Sequence, residues 1–141
     1  MAAEFSPGRE ETARRAADLR ARALELAEIE LHAYEPVLDA LRLPREDPQR
    51  PERIDVARAK ASESPLGIAE VGCELAELGA DLARTGNQNL AGDAIAGALL
   101  AEASAQAAAR LVAINLTEGP AVAEAANLAR RARAARDDVL R

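Results

Sequence analysis

Residues 86–116 read GNQNLAGDAIAGALLAEASAQAAARLVAINL, and this stretch decides the fold. It begins with a polar turn and continues as more than twenty residues of mainly Ala, Gly, Leu and Ile, in which Asp93 and Glu102 are the only charges before Arg110. A helix that is apolar on all sides is usually buried. We therefore expect this helix at the centre of a helical bundle.

Asp93 falls in the first turn of that helix. Free N–H groups and the helix dipole favour a negative charge there, by about 0.3–1 kcal/mol. Stabilisation of the helix start alone would explain the residue. The alternative is a carboxylate held at the end of the bundle for chemistry.

The composition predicts an all-α protein. About a quarter of the 141 residues are Ala and only 1% are aromatic, whereas strands favour β-branched and aromatic residues. The length fits a single domain, 1–141. We expect a multihelical up-and-down bundle of about five helices, with residues 1–8 as the remnant of a missing first helix or a disordered tail. The predicted helices span about 9–41 with a break near Glu35 and Pro36, 51–62, 64–85, 90–116 and 121–141.

Charge and cysteine content narrow the partners and the compartment. The net charge is −6, with Arg interspersed among Asp and Glu, so no nucleic-acid partner is expected. Polar and charged residues interrupt the apolar run, so no membrane span is expected either. The single cysteine, Cys73, excludes an internal disulfide, fits a cytoplasmic location and is expected in the core.

The first long helix places an acid on its apolar stripe. Glu30 lies between Leu26 and Ala33, so it is paired in the core, is functional, or reaches water from the stripe edge. Two apolar lines run along this helix. They consist of Leu19, Ala23, Leu26, Ala33 and Val37, and of Leu24, Leu31, Leu38 and Leu41.

Local signals in the third and last helices predict caps and packing. Ser64 is expected as the N-cap with Pro65 at the first helical position, and Gly86 as the C-terminal cap. Gly72 and Gly79 share one face, which predicts close packing within the bundle or at a subunit interface, and hence self-association. The last helix is weakly apolar and is expected at the periphery.

The sequence excludes several chemistries. Its one histidine, His32, is expected on the surface, so no histidine metal site is predicted, and no phosphate loop or dinucleotide fingerprint is present. Carboxylate chemistry by Glu30 or Asp93 remains. Asn87, Asn89 and Asn115 could supply hydrogen bonds, although turn and cap chemistry alone would explain Asn87 and Asn89.

Three groups of short motifs, taken together, resemble the cyclodeaminase/cyclohydrolase family over roughly residues 9–117. This family includes the C-terminal domain of formiminotransferase-cyclodeaminase and stand-alone methenyltetrahydrofolate cyclohydrolases. The motifs are Ala33-Tyr34 with Val37, Ala40 and Leu43-Pro44; Ala61 with Ser64-Pro65-Leu66 and Ile68-Ala69-Glu70; and Gly86-Asn87-Gln88-Asn89 with Asp93-Ala94, Leu99 to Ala103 and Ile114-Asn115-Leu116.

The resemblance implies a homodimeric enzyme that acts on a tetrahydrofolate derivative without a metal. It would be a lyase that releases ammonia from the formimino group, or a hydrolase that opens the methenyl bridge with water. Asp93 would accept the proton of water, and Glu30 would be a second proton carrier or a ligand for the pterin. Asn87, Asn89 and Asn115 would orient the substrate or shape the loop.

Two departures from the family leave a second hypothesis open. Relatives begin with a helix carrying a Pro-x-Pro-Gly-Gly-Gly-Ser segment that is missing here, so the sequence could be a fragment, start at a misplaced position or be a natural short form. Relatives also often carry a basic residue where this chain has Ala113. The alternative is a non-catalytic, dimeric helical bundle that serves as a binding or structural module.

Overall fold

The computed structural model describes residues 7–141, which form six α-helices and one short 3₁₀ helix, with no strand among them. The all-α prediction is confirmed. Four helices have twenty residues or more, and the total differs from the predicted five because the first pattern divides in two. The helices are α1 Pro7–Ala33, α2 Glu35–Arg42, α3 Arg50–Ala61, α4 Glu63–Thr85, α5 Ala91–Asn115 and α6 Pro120–Val139, with the 3₁₀ helix at Gln88–Leu90.

The predicted break near Glu35 is confirmed. Pro36 carries no N–H and cannot continue the hydrogen bonding of α1, so α2 restarts after Tyr34. Residues 1–6 of the predicted N-terminal remnant lie outside the described residues. The other two, Pro7 and Gly8, already belong to α1.

The centre of the bundle is α4, not α5 as predicted. α4 packs against α1 on one side and against α5 and α6 on the other, and α5 packs mainly on α4 and α6. One face of α5 is buried, but Leu100 and Ile114 on the other are 74% and 64% exposed. An Ala-rich helix is mildly apolar on every side, so its sequence does not reveal which side finds a neighbour.

Two glycines set the spacing between α4 and α5. A Cβ at Gly72 would lie 2.9 Å from the backbone O of Ala101, and one at Gly79 would lie 3.0 Å from that of Ala94. Later positions on α4 thus face earlier positions on α5, so the two helices are antiparallel. The close packing predicted for this line is confirmed within the chain. It therefore no longer supports self-association.

The two apolar lines of the first helical pattern have different surroundings. Leu19 and Val37 of the first line are buried, whereas Leu24 and Leu31 of the second are 64% and 71% exposed. The second line is thus not part of the core of this chain.

The position predicted for α6 is wrong. This helix contributes buried residues, including Leu128 and Ala132, to the main core with α4 and α5. Alanines at helical spacing allow α6 to pack closely, because the facing sides of α4 and α5 also carry small side chains.

The segment Gln88–Asn115, which includes α5, is long and apolar enough by length and composition to cross a membrane, and 33% of its most apolar window is buried. A half-exposed helix of a helical bundle meets the same criteria of length and composition. The absence of a membrane partner stays a prediction.

Candidate functional site

Glu30 is held by a hydroxyl group at the start of α4. The Ser64 Oγ donates a hydrogen bond to Glu30 Oε2 over 2.6 Å, and Glu30 is half-buried. The N-cap predicted for Ser64 is wrong, because α4 begins one residue earlier, at Glu63. Ser64 is thereby free of the capping role, and its side chain pairs with Glu30 instead. Among residues 7–141, no donor is hydrogen-bonded to the second oxygen of Glu30.

A cavity of about 560 Å³ has Ser64, but not Glu30 itself, in its lining. Its volume falls in the range of about 300–1,000 Å³ that is typical of small-molecule sites. The lining is mainly apolar, and its polar groups come from the end of α1, the end of α3 and the start of α4. The lining consists of Leu26, Ile29, His32, Ala33, Pro36, Lys60, Glu63 and Ser64.

A second cavity, of about 630 Å³, lies between α2 and α3. The two cavities share His32, Pro36 and Lys60 as lining residues. His32 is exposed, as predicted, and its Nδ1 lies 2.9 Å from Glu35 Oε1. This hydrogen bond, together with the charge of Glu35, raises the pKa of His32 above its usual 6.5.

Asn115 belongs to the same end of the bundle as Glu30. Its Nδ2 donates to the backbone O of Ala61, the last residue of α3, over 3.3 Å. Ala61 is only three residues before Ser64, so this bond ties the end of α5 to the segment that holds Glu30. The amide therefore has a structural role in the single chain.

The turn before α5 lies at the opposite end of the bundle. Asn87 Oδ1 accepts a hydrogen bond from the backbone N–H of Asn89 over 3.1 Å, which is the turn chemistry expected of asparagine. Asn89 and Asp93 are exposed. Within residues 7–141, the Asp93 carboxylate has no hydrogen-bond or ion-pair partner.

The five predicted site residues thus fall into two groups. α4 has 23 residues and is about 35 Å long at 1.5 Å per residue, and the two groups lie toward its opposite ends. Glu30 and Asn115 lie near the start of α4, whereas Asn87, Asn89 and Asp93 follow its end. A single chain does not bring Asp93 and Glu30 to one small substrate.

Sequence reasoning missed the most buried carboxylate of the chain's described part. Glu102 is 7% exposed, and Arg136 Nη1 on α6 lies 3.5 Å from its Oε1. Its position in an otherwise apolar run was the available signal. Ser64 was also missed as the partner of Glu30, because their proximity depends on how α1 packs on α4. Among residues 7–141 no three His, Cys, Asp or Glu side chains are grouped so that they could hold a metal ion.

Comparison with known proteins identifies the family. No curated protein and no solved structure matches this chain. The family model described as Formiminotransferase-cyclodeaminase matches residues 2–134. This range includes both groups of candidate residues and extends beyond the motifs into α6. The chain therefore belongs to the formiminotransferase-cyclodeaminase family.

Proposed function

We propose that this protein is a homodimeric enzyme of one-carbon folate metabolism, either a methenyltetrahydrofolate cyclohydrolase or a formiminotetrahydrofolate cyclodeaminase, with Asp93 as the base. Family membership supports the folate substrate. The observation that carries the proposal for the site is the position of Asp93 at one end of an exposed apolar line on α5.

This line repeats every seven residues and consists of Asp93, Leu100, Ala107 and Ile114. Residues seven apart stay on nearly the same side of a helix. Leu100 and Ile114 are 74% and 64% exposed, and neighbouring Leu111 is 42% exposed. Burial of such a line by a second copy would remove apolar area from water.

A two-fold dimer formed through this face of α5 would bring the two groups of candidate site residues together across the interface. If the two α5 helices pack antiparallel, Asp93 of one chain approaches the end of α5 in the other. That end carries Asn115 and is joined through Ala61 to the segment holding Glu30. Each site would then combine Asp93 from one chain with Glu30 and Asn115 of the partner subunit.

The chemistry requires little more than this arrangement. The methenyl carbon is electron-poor, so water adds to it when a carboxylate accepts the proton. The C–N5 bond of this adduct then breaks as N5 takes up a proton and the added hydroxyl loses its own, which gives the 10-formyl derivative. Asp93 is exposed and, among residues 7–141, has no ion-pair partner, so its carboxylate is open to a substrate. The free oxygen of Glu30 would accept hydrogen bonds from the pterin, whose ring the adjacent 560 Å³ cavity could hold.

The experiment measures hydrolysis of 5,10-methenyltetrahydrofolate by the purified protein, monitored through the decrease in the absorbance of this substrate. Asp93→Asn should reduce kcat by about a hundredfold or more, because general bases contribute roughly 10²–10⁴. Asp18→Asn, which changes an exposed carboxylate on α1, is the matched control and should keep full activity. Equal activity of the two variants would exclude Asp93 as the base. If the parent protein does not hydrolyse this substrate, it would be tested on formiminotetrahydrofolate. Absence of activity on both substrates would refute the proposed enzymatic function.

Mixed dimers test whether the site crosses the interface. Asp93→Asn and Asn115→Ala protomers, unfolded and refolded together, would form dimers of which half are mixed, each with one intact site. Activity should return to about a quarter of the parent's if sites are shared between chains. No return of activity would contradict the shared site, provided that sedimentation shows the dimer.

A non-catalytic binding module is the second candidate. The cavity beside Glu30 favours it, since it exists in the single chain without Asp93. Tetrahydrofolate binding that is weakened by Glu30→Gln, in a protein inert toward both substrates, would support this alternative.

A further inference from the structure

We propose that a groove between α5 and α6 is a binding site for a compact anion with several carboxylate or phosphate groups. The groove encloses about 300 Å³. Alanines from both helices form its floor, and three arginines, Arg110, Arg130 and Arg133, line it with Gln106. This proposal does not depend on the folate activity.

No carboxylate lines the groove. Within residues 7–141, none of its three guanidinium groups has a carboxylate oxygen within 4.0 Å. Two other arginines of α6 do have carboxylate partners. Arg131 pairs with Glu77, and Arg136 pairs with Glu102 and Asp137. A positive groove on a chain of net charge −6 is therefore a local feature, and its field would attract anions.

Neutral side-chain amides orient two of the three arginines. Gln106 Nε2 donates to the backbone O of Ala129 over 2.8 Å, and its Oε1 accepts from Arg133 Nη2 at 3.4 Å. Arg130 Nη2 donates to Asn127 Oδ1 over 2.9 Å. These bonds orient two guanidinium groups without neutralising them, which leaves N–H groups and full charge for a ligand.

The geometry selects the class of ligand. Guanidinium groups bind carboxylates and phosphates through paired N–H···O bonds. The small alanine floor leaves room for a compact ion, and three cations favour one with at least two negative charges. The net charge of −6 disfavours an extended nucleic acid, which would contact more of the protein than this groove.

The test is isothermal titration with citrate and with pyrophosphate at low ionic strength, each repeated at matched sodium chloride. Arg110→Gln and Arg133→Gln should each weaken binding about tenfold, the loss expected from one charge-assisted contact. Arg42→Gln is the matched control, because Arg42 is an exposed helix arginine that pairs with Asp39 away from the groove. It should bind like the parent.

Comparison of the affinities for citrate and pyrophosphate distinguishes a carboxylate ligand from a phosphate ligand. Stronger binding of citrate would identify a carboxylate ligand, and stronger binding of pyrophosphate a phosphate ligand. Ala113→Glu, which introduces a carboxylate into the groove, should abolish binding while circular dichroism stays helical. Absence of binding by both ions, or equal weakening by Arg42→Gln and Arg110→Gln, would overturn the proposal. Neither outcome bears on the folate assay.

Discussion

Replacement of Gly72 by alanine should separate α4 from α5. The new Cβ would lie 2.9 Å from the backbone O of Ala101 and 2.9 Å from the backbone N of Ala105. Both are backbone atoms, so no side chain can rotate away and the helices must move. Overpacking costs about 1–3 kcal/mol, whereas the helix propensity of alanine returns about 1 kcal/mol. Because the contacts are with rigid backbone, we expect a net loss of about 2 kcal/mol.

For a chain of this length, that loss corresponds to a decrease in Tm of about 6–8 °C, measured by circular dichroism. Urea unfolding should show a lower midpoint with an unchanged slope.

Gly97→Ala is the matched control, because Gly97 lies inside α5 but an added Cβ meets nothing within 4 Å. It should stabilise the protein by about 0.5–1 kcal/mol. If Gly72→Ala is as stable as Gly97→Ala, the close approach of α4 and α5 is refuted.

Two further predictions concern titratable side chains. Burial, with a contribution from Glu77, raises the pKa of Cys73 from 9.0 to about 11, so its thiol should react with a disulfide reagent at pH 8 far more slowly in the native protein than in urea. Because the folded state retains this proton longer than the unfolded state, stability should fall as the pH rises from 9 to 11, and a Cys73→Ala variant should show less of that fall. Glu35 raises the pKa of His32, so a nuclear magnetic resonance titration should give a value above 6.5 that returns toward 6.5 in Glu35→Gln. An unchanged value in that variant would exclude the ion pair.

The sequence predicted well the features that depend on neighbouring residues. Helix ends are set by prolines and by the turn at Asn87, whose effects act within a few residues. The predicted limits of α3, α4, α5 and α6 therefore agree with the structure to within one or two residues. The close contact at Gly72 was also predictable, since only a close neighbour repays the cost of glycine inside a helix.

The candidate site was predictable as a set of residues but not as an arrangement. Glu30 drew attention as an acid on an apolar stripe, yet its partner Ser64 is 34 positions away in the sequence. Asp93 and Asn115 share one helix, but the length of that helix keeps them at opposite ends of the bundle. Spacing along the chain carries no information on which distant side chains become neighbours.

The sequence by itself therefore determined the all-helical class, the positions of the helices and the family, because these depend on local propensity and on motifs. Only the tertiary structure decided that α4 is the central helix, that one side of α5 remains exposed, and that Asp93 and Glu30 lie toward opposite ends of α4. The reason is physical. Alanine-rich helices offer nearly equal faces, so small differences in close packing, such as the contacts at Gly72 and Gly79, decide which faces meet.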